Sequence, residues 1–397
     1  MEPLKARQAA EWHKARTILL CEPRLETALG LLVASAQNFP RPFGLEAAQA
    51  EHRRFRAALE SRGAMVIDLR DALTTGCREP GTMREMLQSA ALKNIEFDFD
   101  DGLDESQRTR IRHDAAIALE GMAPEHLAEL LLLRPTVRVA RNPDALDATT
   151  AFVARYDLRA ATNSYYLRDP LITSGAGCTI GRLRLAVRQP ENAIAELALR
   201  ALGIEPLCRV QAPGTLEGGD FIPCGDFVLQ GQGLLTNADG VAQCLAARAY
   251  GRVEVGVVRD ERAQMDEMHL DCYLAVFDHD LCALCDDRVG DTEPLVDVYE
   301  PHGGADFTYR LVRTVRLRAY LESKGMRILG FSTKQRDGFA ANGLLIGPRR
   351  YVCPAQSGHA WIELLREAGV ELEILDFAQL TGGYGGPHCS SQVLVRG

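Results

Sequence analysis

Apolar and polar positions along the 397-residue chain repeat one local pattern. In five stretches an apolar face at helical spacing runs into a glycine and then into a short strand-like run. They are FRAALESRGAMVIDL (55–69), AELALRALGIEPLCRV (195–210), CLAARAYGRVEVGVV (244–258), LRAYLESKGMRILGF (317–331) and IELLREAGVELEILDF (362–377). Glycine suits the left-handed turn that ends a helix, so each copy predicts a helix, its cap and a strand. Other strand-like runs, such as DFVLQG and YLAVFDHDLCAL, lie between the copies. Repetition of a mixed unit predicts an α/β protein that is closed and pseudo-symmetric, rather than an open doubly wound sheet.

The interval between the first and second copies is the longest. Residues 71–150 hold amphipathic pieces, RTRIRHDAAIALEGM and PEHLAELLLL, with few strand signals. This predicts a helical insertion of about four or five helices. The acidic stretch FDFDDGLDES inside it is expected as a solvated loop.

Composition narrows the function classes. Apolar residues make up 46% and charged residues 25%, enough to bury a substantial core. A net charge of −9 argues against a nucleic-acid partner, because phosphate binding needs a basic face. No apolar run approaches a membrane span, and the first twenty residues lack the long apolar core of a secretory signal. The eleven cysteines are scattered and odd in number, which points to reduced thiols in a cytoplasm rather than a disulfide framework. Cys282 and Cys285, near His279, read as small apolar residues of a buried strand, since no second pair lies at zinc spacing.

Four short stretches carry candidate chemistry: NSYYLRDP with Asn163, Arg168 and Asp169, TLEGGDFIP with Glu217 and Asp220, MHLDCY with His269 and Asp271, and GGYGGPHCSSQ with Cys389. Each has a structural reading of its own. The first can be a turn with a capping aspartate, the second a tight turn or bulge, and a cysteine beside glycines can be inert. His269 and Asp271 would share one face of a strand, where burying both is costly unless they serve each other or a ligand. Taken together they supply a thiol, an imidazole and four carboxylates. Thiol and imidazole suit covalent catalysis with a general acid/base, and carboxylates suit a planar cation such as guanidinium. A metal-dependent route would need a richer His and Asp cluster, so neither metal nor cofactor is expected.

In these motifs, and in their order, the chain resembles the arginine deiminase family of guanidine-modifying enzymes. The resemblance implies a five-bladed pseudo-symmetric α/β propeller (pentein) as one catalytic domain over residues 1–397, with the 71–150 helical bundle inserted. It implies Cys389 as the nucleophile and His269 as the acid that protonates the leaving amine, then activates the water that resolves an S-alkylthiouronium. Asp169 and Asp271 would hold the guanidinium, and Glu217 would orient His269. Asp220, Asn163, Arg168, Arg188 (or Arg184) and Tyr384 fall among the expected substrate-binding positions. A protonated His269 would favour the Cys389 thiolate, and Gly385 and Gly386 would let the Cys389 backbone come close. Family members hold the substrate's α-carboxylate with arginines, one of them five residues before the cysteine. Tyr384 occupies that place, and no basic residue lies between Asp220 and Arg248. The expected activity is therefore hydrolysis of a small-molecule guanidine other than free L-arginine. Amidino transfer to an amine, and a non-catalytic binding protein of the same fold, are the alternatives. Oligomeric state is left open.

Overall fold

The glycines that end the five predicted helices, Gly63, Gly203, Gly251, Gly325 and Gly369, all have φ between 77° and 83°. A side chain resists that conformation, so glycine is where each helix can turn into its strand. In the computed structural model, which describes residues 4–37 and 39–397, each stretch completes a unit of the same connectivity. Two antiparallel strands are followed by a helix and by a third strand that lies parallel to the second.

In chain order of their helices, the first unit joins Gln392–Arg396, Ala15–Leu20, helix Leu45–Ser61 and Met65–Asp68. The second joins Leu171–Thr173, Cys178–Ile180, helix Pro190–Ala201 and Cys208–Arg209. The third joins Phe221–Pro223, Phe227–Gln232, helix Ala238–Ala246 and Glu254–Arg259, and is widened by the hairpin Leu295–His302 and Thr308–Arg316. The fourth joins Leu274–Asp278, Leu281–Cys285, helix Leu317–Ser323 and Arg327–Phe331. The fifth joins Leu344–Gly347, Arg350–Pro354, helix His359–Glu367 and Glu371–Leu375. The protein is thus mixed α/β. Among the described residues no sheet closes on itself.

The helices bury the faces their spacing predicts. Ala48, Phe55 and Leu59 of the first, and Trp361, Ile362 and Leu365 of the last, point into apolar clusters. Cys282 and Cys285 are core residues of a buried strand, and all eleven cysteines are free thiols. No helix among the described residues is long and apolar enough to cross a membrane.

The long interval differs from its expectation. It contains the helices Thr82–Asn94, Glu105–Glu120 and Pro124–Leu133, together with a three-stranded sheet of Glu96–Phe99, Pro135–Arg141 and Phe152–Leu158. The last strand is almost wholly exposed, so it has no buried face to impose an alternating pattern on the sequence. The acidic stretch begins as a strand, not a loop. Phe97 and Phe99 stack with centroids 5.8 Å apart, and the Arg112 guanidinium lies 4.8 Å over Phe99.

The first unit unites distant parts of the chain, and a buried ion pair lies beside that junction. The Arg396 guanidinium donates to Gln8 Oε1 (3.0 Å), the carbonyls of His13 (2.9 Å) and Leu345 (2.8 Å), and Glu11 Oε2 (2.7 Å). Burial would raise the Glu11 carboxyl, but Arg396 and its neighbours His388 and Arg168 hold it well below the usual range. Glu11→Ala leaves Arg396 buried without its partner and should destabilise the protein by about 3–5 kcal/mol in urea unfolding at neutral pH. A depressed carboxyl contributes stability above its unfolded pKa and loses it as pH falls through the folded value. The gap between wild type and variant should therefore narrow when unfolding is repeated below the ordinary carboxylate range.

Candidate active site

Each unit carries a polar residue within five positions of the start of its first strand. Asp169 precedes Leu171–Thr173, Glu217 and Asp220 precede Phe221–Pro223, and His269 and Asp271 precede Leu274–Asp278. Asn342 precedes Leu344–Gly347, and Cys389 precedes Gln392–Arg396. Hydrogen bonds and ion pairs tie these five entry segments to one another.

Cys389 is buried and its backbone is clamped. Asn342 Oδ1 accepts from the N–H of Gly386 (2.8 Å) and of Cys389 (3.2 Å), and the Asn342 carbonyl accepts from His388 N–H (3.0 Å). The Arg168 N–H donates to the Cys389 carbonyl (3.1 Å) and its Nε to that of His388 (3.3 Å). A Cβ on Gly385 would lie 2.7 Å from the Cys389 Cβ, and one on Gly386 would lie 2.7 Å from the Asn342 carbonyl oxygen. Close packing demands these glycines, and neither has positive φ. The residue that does is Tyr384, at φ 76°. Upstream, Glu51 accepts from the N–H of Gln379 (3.0 Å) and Leu380 (2.9 Å), which fixes the approach to this stretch.

Asp271 Oδ2 lies 2.7 Å from His388 Nδ1 and 3.6 Å from Cys389 Sγ. Burial would raise the Asp271 carboxyl, but His388, His269 and Arg168 together outweigh it and keep it low. His269 Nε2 lies 3.0 Å from Glu217 Oε2, and its Nδ1 lies 3.9 Å from Asp169 Oδ1. Burial alone would lower the His269 pKa. The Glu217 bond and the charges of Asp169 and Asp220 reverse that and carry it up to about 10. A Cβ on Gly219 would stand 2.6 Å from His269 Nδ1, so the second glycine of LEGGD makes room for the ring. Glu217 is in turn held by the Arg184 N–H (2.9 Å) and kept low, while burial lifts Asp220 to about 7.

His269 and Asp271 do not share a strand face. His269 leads a single 3-10 turn, Leu270–Cys272, which Asp220 Oδ1 pins by accepting the Leu270 N–H (3.0 Å). The turn sends the imidazole to Glu217 and the carboxylate to His388 and Cys389. Nor is the thiol poised as thiolate. Burial, then the charges of Asp271 and Asp169, push the Cys389 thiol well above its ordinary value.

Several residues expected at the substrate have protein partners. Arg188 is buried and donates to Asp169 Oδ2 (2.8 Å) and Glu191 Oε2 (2.8 Å). Arg168 braces the Cys389 backbone as described. Asn163 donates to the Gln37 carbonyl (2.8 Å), leaving its buried Oδ1 without a partner. Asp169 Oδ1 is likewise buried and unpartnered, on the side that faces His269. Tyr384 stands apart, half-buried in the wall of a cavity of about 240 Å3. Asn342, His388 and Glu191 were missed. His388 lay in plain view beside Cys389, and Asn342 could have been found by asking what the fifth unit places ahead of its first strand. Glu191 gives no signal beyond its spacing to Arg188. Asp169, Glu217 and His269 offer ligand atoms within 4.8 Å of one another, but the imidazolium that Glu217 favours repels a cation.

The sequence profile of arginine deiminases matches residues 38–396. The chain belongs to the arginine deiminase family. Similar proteins include the arginine deiminase of Halobacterium salinarum, 23% identical with 99% of this chain and 97% of that protein covered. Arginine deiminase 1 of Staphylococcus epidermidis is 24% identical, covering 98% and 97%. Among solved structures, dimethylarginine dimethylaminohydrolase of Pseudomonas aeruginosa with citrulline matches at TM-score 0.55 and 16% identity, covering 95% and 98%. An amidinotransferase of saxitoxin biosynthesis from Microseira wollei matches at TM-score 0.54 and 13% identity, covering 98% and 97%. The fold is therefore the one shared by these guanidine-modifying enzymes, and this member of the arginine deiminase family has hydrolases of guanidino C–N bonds as its relatives.

The Glu217–His269 contact gives a measurable titration. The imidazole should remain protonated up to about pH 10 in NMR spectra of the free protein. Glu217→Gln should move its midpoint down by ~2 units or more, because the carboxylate that offsets burial is gone. A midpoint unmoved by the substitution would mean that Glu217 does not hold the proton.

Proposed function

We propose that this chain hydrolyses a small-molecule guanidine to a ureido product and ammonia, with Cys389 as nucleophile. The observation that carries the reading is the pair of buried carboxylates, Asp169 and Asp271, near a buried thiol, with Asp271 Oδ2 3.6 Å from Cys389 Sγ. A guanidinium entering between them neutralises both charges, and Asp169 Oδ1 has no other partner to donate to it. The same cation lowers the cost of the thiolate, so on substrate binding the Cys389 proton passes to solvent and the sulfur is activated.

Sulfur then attacks the planar carbon, forming the C–S bond, and the π electrons move onto nitrogen. His269, protonated over the whole neutral range, gives its proton to the leaving nitrogen, and ammonia departs from the tetrahedral adduct to leave an S-alkylthiouronium. The neutral imidazole takes a proton from water, whose oxygen attacks the same carbon. Collapse expels the Cys389 thiolate and leaves the C=O of the ureido product. Glu217 stabilises the imidazolium at both ends of this cycle. In this reading Arg188 and Glu191 position Asp169, while Arg168 and Asn342 position Cys389. The five units form the blades of one closed propeller domain, with residues 71–150 inserted.

Cys389→Ala should lower turnover by ~10^4-fold or more, with the fold unchanged by circular dichroism. Mass spectrometry of a slowed wild-type reaction should find the amidino adduct on Cys389. Ammonia and ureido product should form with no amine present. Appearance of product only when an acceptor amine is added would make the protein an amidinotransferase, and full turnover without Cys389 would remove the mechanism. A chelator should leave the rate unchanged.

A further inference from the structure

The cavity beside Tyr384 has a wall that the reaction does not use. Asp266, Cys272, Arg336, Asp337, Phe339 and Tyr384 line it together with Asn342. Asn342 is the residue that holds the Cys389 N–H. Cys272 Sγ lies 3.8 Å from Asp271 Oδ1, while Cys389 Sγ lies 3.6 Å from the other oxygen of the same carboxylate. The cavity therefore ends one carboxylate away from the nucleophile. Its volume of about 240 Å3 is roughly eight times the ~30 Å3 share of a liquid water, room for a short alkyl chain with a polar end.

Its one cation is not free to receive an anion. Arg336 donates from Nε to Asp337 (3.2 Å) and from Nη2 to Asp266 (3.1 Å) and Asp337 (3.0 Å). From Nη1 it donates to Asp287 (3.1 Å) and to Glu267. A guanidinium has five N–H donors, and all five are engaged. Behind it, Arg288 pairs with Asp260 and Glu267, and Arg262 with Asp287. The connected cluster holds five carboxylates against three guanidiniums. In front stand two aromatic rings, Tyr384 and Phe339, edge to face with centroids 6.0 Å apart. Aromatic faces with surplus carboxylates behind them attract an ammonium and repel a carboxylate.

We propose that this cavity receives the far end of the guanidine substrate and selects an aminoalkylguanidine, one whose tail carries an ammonium and no carboxylate. The proposal rests on the guanidine-hydrolysis reading for the identity of the reacting end. Asp266 and Asp337 bind the tail ammonium and Tyr384 covers it, which makes the three of them specificity residues.

Three probes separate the contributions: agmatine has the ammonium only, L-arginine has ammonium and carboxylate, and n-butylguanidine has neither. Agmatine should exceed arginine in kcat/KM by ~30-fold or more, with butylguanidine between them. Asp337→Asn, at an exposed helix end, should erode the preference for agmatine over butylguanidine by ~5-fold through KM. Tyr384→Arg should shift preference toward arginine. Calorimetric binding to Cys389→Ser gives the same ranking without chemistry. Agmatine binding tighter than arginine supports the proposal even if nothing turns over, a result that would count against the hydrolysis reading alone. Arginine equal or superior in binding, or no binding by any probe, overturns it.

Discussion

A buried surplus of negative charge around one thiol is the constraint on which the site depends. Asp169, Glu217, Asp220 and Asp271 are each at most 4% exposed, and such burial is tolerated only where charges are paired or hydrogen-bonded. The chain supplies partners with care. Glu217 has the His269 imidazolium, Asp271 has His388, and Asp169 has Arg188 on one oxygen only. What is left over, among the described residues, is an oxygen of Asp169 with no hydrogen-bond partner and a thiol whose pKa is pushed up. The His269 imidazole is kept charged by the same excess, since Glu217, Asp169 and Asp220 all act on it.

The architecture explains how so many polar groups reach one place without disturbing the core. The units bury apolar strand and helix faces and present polar residues where the chain enters each first strand. No single unit holds a functional set. Cys389 comes from the first, Asp169 from the second, Glu217 from the third, His269 from the fourth and the Asn342 backbone clamp from the fifth.

Local order was legible in the sequence because its causes are local. Helix periodicity and a glycine at each helix end are consequences of backbone sterics, so all five helix–turn–strand stretches could be read directly. The residue types of the buried polar cluster could be read too, since Cys389, His269 and the four carboxylates stand in short, unusual contexts. Partnership could not. Whether Arg188 meets a substrate or Asp169, and whether Cys389 rests as thiol or thiolate, depends on groups far away in sequence. The sheet of the long interval, which runs past residue 150, was hidden for a different reason. An exposed strand such as Phe152–Leu158 buries no face, and so writes no pattern.

The strand that follows Cys389 pairs with residues 15–20, near the opposite end of the sequence. Joining segments so far apart is entropically the slowest kind of contact to form. Until that pairing exists, the Cys389 sulfur has neither Asp271 nor the Asn342 clamp beside it. An incompletely folded chain thus carries an ordinary thiol with ordinary reactivity toward oxidants and electrophiles. Completion of this long-range pairing also sets the sulfur into the buried, negatively charged surroundings that push its pKa up.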